Sequence, residues 1–106
     1  MFIVLLKFGE NRDRASQYMA GHNEWLQKGF DDNVFLLAGN LQPGPGGGIM
    51  AYNVSLPDLQ DRVKNDPFVA EGVVNAEIIE ITPKKAGQRL QFLCDDPADP
   101  HPVETG

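Results

Sequence analysis

A single cysteine, Cys94, leaves the chain of 106 residues without a partner for an internal disulfide, a pattern that fits a reducing compartment. Long apolar runs are missing as well, so no stretch reads as a membrane-spanning helix. Positive charge is scarce: nine Lys and Arg stand against fifteen Asp and Glu, giving a net charge of −6. The basic residues are scattered, whereas nucleic-acid affinity rests on clustered Lys and Arg that neutralise phosphates, so no nucleic-acid partner is expected. Histidine is limited to His22 and His101, and with one remote cysteine no metal-ligand spacing appears, so no metal site is expected. Cys94 has no adjacent base to activate it as a nucleophile. The glycines between Gly44 and Gly48 lack the Gly-x-Gly-x-x-Gly and Gly-Lys-Ser/Thr patterns that cradle phosphates, and they join two strands instead of opening a helix. No basic segment with a small-residue cleavage site precedes Phe2, so no signal peptide is read and a cytoplasmic location is expected.

What is present suffices for one small domain. Phe2 to Phe8 is almost continuously apolar and short enough for a strand. Asn11 to Arg14 supplies turn and cap residues, with Asp13 as the expected N-cap. Tyr18, Met19, His22, Trp25, Leu26 and Phe30 then recur every three or four residues, which predicts an amphipathic helix ending near Gly29. A second strand is expected over Val34 to Ala38, a Gly- and Pro-rich loop over Gly39 to Gly48, and a third strand over Ile49 to Val54. Ser55 followed by Pro57 and Asp58 marks a second helix start, and Val73 to Thr82 is the fourth strand, ended by Pro83. The order β-α-β-β-α-β is the ferredoxin-like arrangement of the α+β class: a four-stranded antiparallel sheet with both helices on one face. Apolar residues fall on both faces of the strands, so the uncovered face is expected to pair with a second copy in a homodimer. The domain is expected over residues 1–85. Residues 86–106 form an arm, in which Leu90, Phe92 and Leu93 suit a short strand against the partner. The acidic tail of the arm, with three prolines and four carboxylates from Asp95 onward, is expected to be loosely attached.

The segment Asn65-Asp66-Pro67-Phe68-Val69-Ala70-Glu71-Gly72 must end a helix, turn and feed a strand. Pro67 disfavours helical geometry at Asp66, and Leu56, Leu59 and Val63 place Asp66 at the end of an apolar stripe. Its carboxylate therefore points to a core or cleft. Two roles remain open for it, capping the short turn through Phe68 and Val69, or orienting His22, which lies in the apolar stripe of the first helix. His22 in turn reads as a core histidine or as a proton-transfer group. Trp25, Phe35 and Phe68 read as core aromatics or as the walls of a pocket that excludes water.

Taken together, the first strand, His22-Asn23-Glu24-Trp25-Leu26, Phe35-Leu36-Leu37-Ala38-Gly39, Gly46-Gly47-Gly48, and Asp66-Pro67-Phe68 with Gly72 resemble the YciI-like (YCII-related) family over residues 1 to 85. The resemblance implies a ferredoxin-like chain pairing into a dimeric α+β barrel, and an active site built on His22 and Asp66. Trp25, Phe35, Gly39 and Phe68 are the expected substrate contacts around that pair. A dehydrochlorinase of chlorinated-aromatic breakdown is among the relatives, and muconolactone isomerases share the dimeric barrel. This chain departs from the family in a shorter loop, Gln42 to Gly48, and in the tail after Gly87.

The chemistry expected of such a pair is proton transfer without a cofactor, as an elimination or an isomerisation on a small cyclic or aromatic molecule: His22 moves the proton and Asp66 orients the ring. A cofactor-free monooxygenase on the same barrel is one alternative. A module that binds a small apolar ligand without reaction is another.

Overall fold

The computed structural model describes residues 1–94; the acidic tail from residue 95 onward, expected to be loosely attached, lies outside the described residues. Four strands, β1 (Phe2–Phe8), β2 (Phe35–Asn40), β3 (Gly47–Ala51) and β4 (Val74–Glu80), form one sheet in the order β2-β3-β1-β4, with every neighbouring pair antiparallel. Helix α1 (Ala15–Asp31) follows β1, and α2 (Leu56–Lys64) and the one-turn α3 (Pro67–Ala70) link β3 to β4. The chain is thus the expected ferredoxin-like α+β fold, with the helices segregated on one face.

Register explains which side chains meet the helices. Phe2, Val4 and Leu6 are buried on β1 and stand opposite Ala51, Ile49 and Gly47 of β3. With Phe35, Leu59, Val63, Phe68, Val73 and Val74 they make the core between sheet and helices. Burial of this apolar set is the main stabilising contribution to the fold.

The intervening positions, Ile3, Leu5 and Met50, point to the other face and are half-buried, while Leu37, Ile79 and Ile81 are exposed there or at its margin. The C-terminal segment meets this chain's own residues. Gln88–Leu93 forms a 3-10 helix in place of the expected short strand, with Phe92 packed edge-on against Tyr52 at 5.4 Å and Leu93 buried.

Two helix boundaries differ from expectation. A 3-10 turn at Arg12–Arg14 leads directly into α1, whose N-cap, Arg14, makes no side-chain cap bond, so Asp13 is not the cap. At the other end α1 runs past Gly29 to Asp31, and the chain reverses at Asn33, which holds the left-handed conformation at φ 61°. Gly29 serves a different purpose: a Cβ there would collide with the ring of Phe35. The ends of α1 and α2 are tied through Asp32, which accepts from Arg62 at 3.1 Å and pairs with Lys28 at 3.2 Å. Hydrogen bonding from Lys28 and then Arg62 holds the Asp32 carboxyl below the usual carboxylate range. Ser55 caps α2 as expected, its Oγ accepting from the Asp58 N–H at 3.2 Å. Among the described residues no helix is long and apolar enough to cross a membrane.

Candidate active site

Pro67 ends the path of α2 and starts α3, leaving Asp66 in extended geometry at the corner between them as the N-cap of α3. Its Oδ1 accepts from the Phe68 N–H at 3.0 Å. The same Oδ1 lies 2.9 Å from Nδ1 of His22, 44 positions away in the chain. Both roles open to Asp66 in the sequence are therefore filled, and by one oxygen atom. The side chain is wholly buried, and its Oδ2 has no hydrogen-bond partner among the described residues.

Two packing features bring the histidine there. Gly21 lets α3 approach α1 closely, since a Cβ on it would stand 3.0 Å from Cγ of Pro67. The imidazole of His22 then lies almost parallel to the Phe68 ring, stacked on it with an interplanar angle of 7° and centroids 4.2 Å apart. Trp25, one turn further along α1, stacks at 5.9 Å from the same imidazole and donates its indole N–H to the carbonyl of Arg62 at 2.9 Å. The ring is thereby fixed in plane and in direction, with Nδ1 turned to the buried carboxylate.

His22 and Phe68 line a cleft of about 600 Å³ between α1 and the β2–β3 hairpin, a volume suited to a small molecule. Nε2 of His22 makes no hydrogen bond to a described residue and is not among the buried unpartnered atoms, and its residue is part of the lining of this space. Leu6 and Phe8 of β1, Leu26 of α1 and Ile49 of β3 supply apolar wall. Gly39 contributes backbone to the hairpin side, and the Gly- and Pro-rich loop closes the far end.

Of the residues expected at the site, His22, Asp66, Phe68 and Gly39 are thus gathered at or immediately behind the cleft. Trp25 and Phe35 are not on its wall: they pack edge to face on each other, at 5.2 Å, and Phe35 is buried beneath α1 against Gly29. Trp25 stacks on the histidine, and Phe35 packs in turn on Trp25. Sequence reasoning missed Asn23, Asn40 and Gln42, which bring polar amides to the lining. Asn23 was within reach, because Met19, His22, Asn23 and Leu26 share one helical face. Asn40 and Gln42 come from the hairpin, and their proximity to His22 arises only when the sheet folds over α1. Among the described residues no group of three or more His, Cys, Asp or Glu side chains is placed to hold a metal ion.

No family model and no curated protein matches the chain. Among solved structures, the fold is similar to that of a 5-chloro-2-hydroxyhydroquinone dehydrochlorinase from Burkholderia phenoliruptrix AC1100, determined in complex with 2,5-dihydroxybenzoquinone. The TM-score is 0.63 at 15% identity, over 84% of this chain and 98% of that one. At that identity the likeness is one of fold.

Proposed function

We propose that this chain is a YciI-like (YCII-related) protein that catalyses cofactor-independent proton transfer on a small cyclic or aromatic molecule, as an elimination of the dehydrochlorinase type or an isomerisation. The observation that carries the reading is the 2.9 Å contact between Nδ1 of His22 and Oδ1 of Asp66, made by a histidine that lines the cleft and whose Nε2 is left without a partner among the described residues. With Asp66 ionised, Nδ1–H donates to Oδ1, and the neutral ring presents the lone pair of Nε2 to a ligand. Nε2 takes a proton from carbon, and the imidazolium so formed is stabilised by the carboxylate behind it. In an elimination from the keto tautomer of a chlorinated hydroxyhydroquinone, whose C–Cl carbon is sp3, Nε2 takes the hydroxyl proton instead. The O–H electron pair becomes a C=O, the ring π pair moves to the neighbouring carbon–carbon bond, the C–Cl pair leaves with chloride, and the imidazolium then gives its proton to solvent. In an isomerisation, the imidazolium returns its proton to a different carbon of the same π system. The apolar walls exclude water and strengthen the charge interactions during transfer.

Chloride release from chlorinated hydroxyhydroquinones, and solvent deuterium uptake into cyclic enones and lactones, test the reading. Turnover lost on His22→Ala, with circular dichroism unchanged, supports it. Exchange or chloride release that survives His22→Ala overturns it, as does a protein that binds these ligands without any exchange. Turnover that stops when oxygen is removed would assign the cleft to monooxygenase chemistry instead.

The same proposal includes a homodimer, in which the open sheet faces of two copies cover each other as a dimeric α+β barrel. Support comes from the apolar residues left on that face, with Leu37 54% exposed and Ile79 and Ile81 each 41% exposed. A continuous patch of this kind on an isolated chain favours association.

A further inference from the structure

We propose that the cleft selects an uncharged, oxygen-bearing substrate and rejects its carboxylated analogue, with the amides of Asn23 and Asn40 as specificity-determining hydrogen-bond partners. The inference rests on the proposed proton-transfer reading of the same site and narrows its substrate class. Two observations lead to it. First, no Lys, Arg, Asp or Glu is among the residues lining the cleft. A carboxylate drawn into a partly apolar space without a permanent cation loses hydration that neutral donors in the wall replace only in part. Arg12 lies over the ring of Phe8, its guanidinium carbon 4.5 Å from the ring centre, but it is not part of the lining.

Second, the side-chain amides among the lining residues, those of Asn23, Asn40 and Gln42, are neutral and uncommitted. Asn40 stands opposite Gly47, which stands opposite Leu6, so its side chain leaves the sheet on the face that carries α1. Asn23 follows His22 on α1 and reaches the cleft from the other wall. Neither amide takes part in a side-chain hydrogen bond with another described residue. Each offers both a donor and an acceptor, which matches hydroxyl and carbonyl oxygens and gives no preference to a full negative charge. Amides on two walls and apolar side chains between them hold a ligand with a greasy body and polar edges, placed against Nε2 of His22.

A matched pair of probes tests this directly: 2,5-dihydroxybenzamide and 2,5-dihydroxybenzoate, alike in shape and different in charge near neutral pH, titrated calorimetrically into the full chain. The benzamide should bind at least about tenfold more tightly, reflecting the unpaid desolvation of the carboxylate. Asn40→Leu and Asn23→Leu should each weaken benzamide binding by about three- to tenfold, the loss expected of one hydrogen bond. Asn40→Lys should reverse the preference by supplying the missing cation, a gain of binding that misfolding cannot imitate. Equal or tighter binding of the benzoate to the parent chain overturns the proposal, as does undetectable binding of both probes or benzamide affinity indifferent to both Leu substitutions. Benzoate binding abolished by Arg12→Gln would identify Arg12 as the anion partner and equally overturn it. These readouts involve no turnover, so the selectivity stands or falls separately from the catalytic role of His22.

Discussion

At the scale of single residues, Asp66 is the most informative position, because one oxygen both caps α3 and receives the imidazole. A cap alone does not call for a charge, since Asn and Ser serve that position as well as Asp. Keeping a carboxylate wholly buried, with Oδ2 unpartnered among the described residues, is costly unless a cation forms beside it. In the proposed reaction His22 supplies that cation. Asp66→Asn separates the two roles: the amide oxygen can still accept from the Phe68 N–H and from Nδ1–H, but the negative charge is gone. Stability measured by urea unfolding should stay within about 1 kcal/mol of the parent, as the cap is kept. The turnover number should fall by about 10²-fold or more, the scale of a lost acid–base contribution. Asp66→Ala should instead lower both, removing cap and partner together. An Asn variant as active as the parent would reduce Asp66 to a structural residue.

At the scale of elements, the order and identity of strands and main helices were legible because pattern and turn chemistry agree: β1 is a short, almost continuous apolar run, α1 repeats every three to four residues, Ser55 announces the start of α2, and Asp66 marks the short turn that the structure shows as α3. The end of α1 was not legible. Gly29 carries the usual mark of a helix stop, yet its lack of a side chain answers to Phe35, a contact that exists only once β2 has folded back. Asn33, which does reverse the chain, looked like one polar residue among three. The pair His22 and Asp66 could be found because each sits on an apolar stripe where a polar side chain is unexpected. Trp25 and Phe35 fall outside the lining for different reasons: the apolar stripe of α1 is wider than the wall of one cleft, and Phe35 stands on β2 beneath Gly29. Gly29→Ala tests the close approach of α1 and β2: alanine gains about 1 kcal/mol of helix propensity, but the Phe35 ring must move, at about 1–3 kcal/mol or more for overpacking. Net destabilisation in urea unfolding is the expected outcome. A stabilised variant would show that the ring has room to yield.

At the scale of the whole molecule, the sheet is finished on one side only. Ile3, Leu5 and Met50 are half-buried on the outer face, and Leu37 and Ile79 are more open still. Size-exclusion chromatography with light scattering should therefore give twice the mass of one chain at micromolar concentration, and Leu37→Lys with Ile79→Lys should give a monomer. A monomeric parent would refute the proposed pairing. Strand β2 joins this question to the chemistry. Its residues alternate between the two sides, Ala38 and Asn40 towards the cleft, Leu37 and Gly39 towards the outer face. The edge that pairing would steady is thus the edge that lines the cleft, and in the proposed dimer mass action links the two. As the protein is diluted below its own dissociation constant, specific activity should decline along with the fraction of paired chains, so that the catalyst's strength depends on how much of it is present.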